Sequence, residues 1–177
     1  MSAIIRAGAL VVGVVVACGG APTPAPAVGT PTPPITEEPP VAADDTEAPR
    51  LIELWFRDAS VPPPDHRSYY ISVTAASIRR VVDSYGDLVS DETVPLTAAQ
   101  YAGVVAALAR HGLREQPATE PEPGCTGGTS HALALTYAAR ETPRLEVAHC
   151  GGADTGTLAG DVRGFAAELA ALLPPPR

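Results

Sequence analysis

The chain has 177 residues, a formal net charge of −8, 45% hydrophobic residues and only 5% aromatics. That length suits one domain with a core of small aliphatic side chains, each burying modest area. Five of the acids lie in a proline-rich stretch before Pro49, leaving fifteen acids against eleven dispersed arginines from Arg50 onward; with no basic stripe to hold phosphates, nucleic acid is not expected as a partner.

Met1 to Ile5 precede Arg6 and then eleven uncharged residues, Ala7 to Ala17. An apolar run of this length matches a secretory signal and is too short to cross a bilayer core of about 30 Å. It ends Val15-Val16-Ala17-Cys18-Gly19, which resembles the lipobox of bacterial lipoproteins: an aliphatic residue three before the cysteine, small residues beside it, then the cysteine. The resemblance covers the first nineteen residues only, with Val15 in place of the commoner leucine. It implies that residues 1–17 are a cleaved signal, that Cys18 is lipidated, and that the chain is held on a membrane of the cell envelope by that lipid. Two or three acyl chains give stable attachment, because each buried methylene contributes about 0.8 kcal/mol. Gly19 rather than aspartate after the cysteine is the pattern such proteins show when sent to an outer membrane; a periplasmic or cell-surface face of another membrane is the alternative.

From Cys18 to Pro49 proline and threonine recur with almost no large apolar residue. Such a stretch cannot bury enough surface to offset chain entropy, and at about 3.1 Å per residue in polyproline II it reads as a semi-rigid tether.

Residues 50–177 carry the folding signals. Ile52, Leu54 and Phe56 alternate with Glu53 and Arg57, the pattern of a half-buried strand. Val61-Pro62-Pro63-Pro64-Asp65 forces a loop. Tyr69, Ile71 and Val73 alternate in a second strand, a third is expected over 78–83, and a turn at Ser84-Tyr85-Gly86-Asp87 leads to a fourth over 88–94. Thr97 and Gln100 make a capping box, with Leu96 and Tyr101 placed as a hydrophobic staple. Tyr101, Val104, Val105 and Leu108 then form one helical stripe that Gly112 ends. Leu133, Leu135 and Tyr137, and then Leu145, Val147 and His149, predict a hairpin in which Tyr137 faces Arg144 and His131 faces Cys150. Leu158, Val162, Phe165, Leu169 and Leu172, spaced by fours and threes, predict a second amphipathic helix. The expectation is an α+β fold: an antiparallel sheet of five or six strands with two amphipathic helices on one face.

With Cys18 given to a lipid, Cys125 and Cys150 are left as an even pair for an oxidising compartment, and a disulfide closing about 25 residues contributes roughly 3.5 kcal/mol in the chain-entropy view. The alternatives are a metal site drawing on Cys125, His131, His149 and Cys150, or a reactive thiol. Zinc-type spacings are missing, and His149 and Cys150 point to opposite faces of a strand, so no metal or cofactor is expected.

No nucleophile elbow, phosphate loop or H-E-x-x-H motif occurs. His66 in the proline loop reads as a solvated histidine. Asp91 and Glu92, like Tyr69 and Tyr70, point apart as strand neighbours and do not converge on one reaction. Trp55 lies on the face of the first strand opposite Ile52, Leu54 and Phe56. It is a candidate anchor of a binding surface if that face is open, and core if it is covered. The element order is similar to that of small inhibitor domains such as emfourin, in topology alone. A non-catalytic envelope module binding a protein, peptide or glycan is therefore the leading expectation, ahead of a purely structural lipoprotein and of an enzyme.

Overall fold

A computed structural model describes residues 47–120 and 127–175. The signal, Cys18, most of the tether and Cys125 lie outside the described residues. All those described fall in one unit, Ala43–Arg177.

The fold is α+β with an antiparallel sheet and two helices, and the sheet has eight strands rather than five or six. In chain order these are β1 (Leu51–Arg57), β2 (Ser68–Val73), β3 (Ser77–Ser84), β4 (Asp87–Pro95), α1 (Ala98–Arg110), β5 (Arg114–Thr119), β6 (Thr129–Thr136), β7 (Leu145–His149), β8 (Thr155–Ala159) and α2 (Val162–Ala170). Across the sheet the order is β4-β3-β2-β1-β6-β7-β8-β5. The two additional strands are β5 and β8, which pair with each other at one margin. β5 carries Pro117, which has no amide to donate and is tolerated only because β5 is an edge.

Side-chain parity sorts the sheet into two faces. Ile52 and Leu54 of β1 stand beside Val73 and Ile71 of β2 and beside Leu135 and Leu133 of β6. These residues pack in one core cluster with Val104 and Ala107 of α1 and with Val162, Phe165, Ala166 and Leu169 of α2, so both helices cover the same face. Phe165, fully buried, is the largest side chain of the cluster. The other face, carrying Glu53, Trp55, Tyr70 and Arg79, has no helix over it.

The first helix begins as the capping box requires: Gln100 N donates to Thr97 Oγ1 over 3.2 Å, and Thr97 N donates to Gln100 Oε1 over 2.9 Å. Leu96 and Tyr101 both lie against the core, and the Tyr101 hydroxyl donates to the Pro49 carbonyl, tying the start of the domain to the helix. The second helix starts later than the periodicity suggests. Leu158 belongs to β8, and Gly160, at φ +102°, separates it from the helix cap at Asp161, whose Oδ1 accepts from Gly164 N at 2.8 Å. A Cβ on Gly160 would come within 2.5 Å of the Gly112 carbonyl oxygen, which is why backbone and not a side chain fills this crossing. Here Asp161 N donates to His111 O, and His111 contacts Asp161 and Glu168, joining the end of α1 to α2.

The β6–β7 register also differs from expectation. His131 faces Val147, not Cys150, and Thr129 faces His149. The hairpin turns more tightly than expected, with Tyr137 N donating to Arg140 O and an isolated bridge from Thr136 to Glu141. The last part of the chain before β6 is thereby drawn toward Cys150: a Cβ on Gly128 would lie 3.3 Å from Cys150 Sγ.

Truncating Phe165 to alanine removes the largest wholly buried side chain, and an unfolding free energy lower by about 3–5 kcal/mol in urea titration is expected. Leu88→Ala, on an exposed hairpin, should change it by less than about 0.5 kcal/mol. Similar losses at the two positions would contradict the placement of the core.

Candidate functional site

The helix-free face carries a groove of about 540 Å³ that runs from Trp55 to the turn between β3 and β4. Its floor follows from strand parity: Trp55 of β1 faces Tyr70 of β2 on one side and Ala132 of β6 on the other. The Trp55 and Tyr70 rings are 5.4 Å apart, tilted by 37°. The Arg144 guanidinium lies 4.4 Å from the Trp55 ring centre, and Arg144 also pairs with Glu146 at 3.0 Å. The Tyr70 hydroxyl donates to Glu53 Oε1 at 2.7 Å; partial burial, then that bond and the Glu53 charge, raise its pKa. Trp55 is half-buried by these neighbours, so the sheet face is open while the indole itself is held in place by a cation and a second ring.

The far wall of the groove is the proline loop. Asp58 accepts from the backbone amides of Ala59 and Arg67, each at 2.8 Å, and closes the loop on itself. His66 is buried, not solvated as its surroundings in sequence suggest: its ring stacks on Tyr85 at 4.0 Å. The Tyr85 hydroxyl donates to the Val61 carbonyl at 2.6 Å, and Ser84 Oγ donates to the Pro63 carbonyl at 2.7 Å. The loop is therefore pinned to the β3–β4 hairpin. The turn has φ +54° at Tyr85 and +94° at Gly86, the signs of a type I′ hairpin. A tyrosine in that region is uncommon and strained; the stack and the hydroxyl bond hold it there.

At this turn and just beyond it lie the large apolar residues exposed among the described residues, Tyr85, Leu88 and Val89. Leu88 is 67% exposed, and β4, which carries Leu88 and Val89, is the other edge of the sheet. An unpaired strand edge that also exposes apolar side chains is open to pairing with another chain.

On the helix face the most displaced titration is that of His131. Its pKa is pushed down from 6.5 to about 4, by burial first, then by His149 and Arg163, against a smaller opposing effect of Asp154. His131 Nδ1 lies 3.1 Å from His149 Nε2. His149 Nδ1 is 2.7 Å from Asp154 Oδ1, close enough for charge attraction but too poorly aligned to count as a hydrogen bond. The carboxylate favours a proton on His149 Nδ1 and the contact between the rings, and His131, its pKa depressed, is the neutral member at pH 7. The ring contacts of His131 among the described residues are Phe56 and His149.

The residues singled out from sequence separate. Trp55 lies in the groove. His131 and His149 meet, while Cys150 is disulfide-bonded and turned away from that pair; its sequence-assigned partner Cys125 lies outside the described residues. Among the described residues no group of three or more histidine, cysteine or acidic side chains is arranged to hold a metal ion. Asp91 and Glu92 part as expected, Asp91 bonding Arg79 on the open face and Glu92 bonding Arg80 beneath the sheet. Sequence reasoning did not single out Tyr85, Leu88, Val89 or Arg144. A signal was present in Leu88-Val89, two adjacent apolar residues where strand alternation calls for one. No family model, no curated protein and no solved structure matches this chain.

Because His131 is neutral when folded and has an ordinary pKa near 6.5 when unfolded, the unfolded state takes up more protons as pH falls between 6.5 and about 4. Stability is full above 6.5 and is lost downward through that window. Between pH 7 and 4.5 the wild type should lose on the order of 2 kcal/mol more than His131→Gln in urea titrations. Equal losses would show that His131 is not the group responsible.

Proposed function

We propose that the protein is a lipid-anchored, non-catalytic binding module of the bacterial cell envelope, and that what it binds is a segment of another protein. The observation that carries the second part is the placement of Leu88 and Val89, exposed on an edge strand whose outer backbone groups can pair with an extended chain, with Tyr85 exposed in the turn that leads to it. The groove behind them continues the surface inward to Trp55 and Tyr70, supplying pre-placed aromatic area with Asp58, Asp83 and Arg144 at its sides. Aromatic residues in a polar surround are the composition of interface centres, where area and rigidity matter more than charge. Such a surface suits a peptide strand better than a glycan, because an edge strand offers backbone pairing that a sugar does not use.

The anchor rests on the lipobox-like Val15 to Cys18 and on the proline-rich stretch that follows. A disulfide between Cys125 and Cys150 fits the shortened register, which brings Gly128 opposite Cys150, and fits an oxidising compartment. In this reading Cys18 remains for the lipid.

A photo-reactive amino acid at position 88 should crosslink to an envelope protein in intact cells, and the same group at Ala118, on the opposite edge, should not. Leu88→Asp with Val89→Lys should abolish a complex identified in this way while leaving the unfolding midpoint within a few degrees. Crosslinking at neither position, or at both alike, would remove the edge surface as the binding site. Independently, Cys18→Ser should move the protein from the membrane fraction to the soluble fraction; retention in the membrane would contradict the lipid anchor.

A further inference from the structure

The helix face of the sheet is not wholly covered. Beside α2 an open trough of about 700 Å³ runs over β1, β2 and β3, within the range of about 300–1,000 Å³ of small-molecule sites. Its floor is Phe56, Tyr69, Ile71 and Val82, and its wall is the side of α2 that presents Ala166, Ala167 and Ala170. The alanines create the space, since larger residues there would reach the sheet and close it. Phe56 and Tyr69 stack at 4.9 Å, giving one end of the floor a rigid aromatic surface.

Among the described residues that line the trough the charged ones are Arg67, Arg80 and Arg163, with His131 between; Glu92, outside the lining, pairs with Arg80, which leaves Arg67 and Arg163 as the positive rim of a chain that as a whole carries −8. Arg80 itself is buried. Its side chain is 7% exposed, and its Nη2 is engaged by Glu92 at 2.5 Å and by the Pro174 carbonyl at 2.7 Å. Its Nε is buried with no partner. A buried donor left unpaired costs about 1–3 kcal/mol, and an acceptor in the trough reaches it only with a shift of the Arg80 side chain, because Nε has no exposed surface. Tyr69 adds a hydroxyl that burial keeps protonated, its pKa pushed up to about 12, so that it too can donate. His131, which also lines the trough, brings no negative charge to oppose an anion.

We propose that this trough binds a small aliphatic carboxylate: the hydrocarbon body lies on Ile71, Val82 and the alanines of α2, and the carboxylate faces Arg163 and Arg67 at the rim, with the Tyr69 hydroxyl as a further donor. An apolar body satisfies the floor and wall, and a single anionic head satisfies the rim. A neutral lipid would leave the positive rim of Arg67 and Arg163 without a counterpart, and a fully polar anion would leave the floor wet. Phe56, Tyr69 and His131 line both this trough and the groove, but Trp55 and the β4 edge lie outside the trough, so variants there test the protein-binding surface alone.

The test is calorimetric titration of residues 43–177, which contain the whole core cluster, with sodium decanoate, with 1-decanol and with decyltrimethylammonium below their micelle-forming concentrations. Saturable binding of one decanoate is expected, with decanol at least tenfold weaker and the cation undetected. Ala170→Phe, on the exposed side of α2 and clear of the core, should plug the trough and weaken decanoate at least tenfold with an unchanged unfolding midpoint. Arg163→Ser should weaken decanoate while leaving decanol unaltered, and Trp55→Ala should leave decanoate binding as it was. Non-saturable uptake, equal affinity for decanoate and decanol, or undiminished binding in a folded Ala170→Phe protein would each overturn the proposal.

Discussion

Two helices cannot cover one face of an eight-stranded sheet, and most of the functional geometry follows from that mismatch. Neighbouring strands lie about 4.8 Å apart, so eight of them extend over roughly 34 Å, whereas two helices side by side span about 20 Å. The helices must be placed where the apolar side chains are densest, around Ile52, Leu54, Leu133 and Phe165. What remains beside α2 is the trough over β1, β2 and β3, and polar residues as well as apolar ones line it. Arg80 and Glu92 face each other on adjacent strands instead of two aliphatic side chains. A buried ion pair of this kind adds little stability, because desolvation offsets most of the attraction. Its presence is better understood as the polar lining of an unfilled space than as part of the core.

The join between the helices sets where that space opens. His111 at the end of α1 reaches Glu168 of α2 at 2.7 Å and Asp161 at 3.3 Å, and the Gly112 and Gly160 backbones cross too closely for a side chain between them. The start of α2 is therefore held near α1, and its alanine side is left toward β2 and β3. The same strand, β2, serves both faces through parity alone: Tyr69 stacks on Phe56 beneath the sheet and Tyr70 on Trp55 above it.

Much of the architecture could be read from residue patterns, and the failures have physical causes. The alternation at Ile52, Leu54 and Phe56 and the Thr97–Gln100 box are local signals, and both are realised in the structure. β5 reads Arg-Glu-Gln-Pro-Ala-Thr, with no apolar face, because an edge strand beyond the helices has little to bury. β8 contains Gly156, where a Cβ would lie 2.2 Å from the Glu146 carbonyl oxygen, so close backbone approach replaced the side chain that would have signalled a strand. Leu158 extended a helical spacing by coincidence, since periodicity does not register a break at Gly160. Trp55 could be assigned to its face from parity. The stack of His66 on Tyr85 could not, because it joins a loop to a turn nineteen residues away and depends on a backbone dihedral that is unusual for tyrosine.

The polar groups inside the domain divide by whether they are satisfied. Asp58 and the Thr97 cap use their acceptors on nearby backbone amides and explain themselves as structure. The His131–His149 pair is internally bonded, and the neutrality of His131 follows first from burial. Tyr85 is strained in its backbone yet well bonded at its hydroxyl, an arrangement that places Leu88 and Val89 outward at the cost of a rare conformation. Glycine at position 85 would relieve that strain but would leave the proline loop without the ring and hydroxyl that hold it. The loop forms one wall of the groove, so strain at Tyr85 and order in the groove are two consequences of the same contact. The turn that exposes the apolar tip is also what shapes the surface behind it.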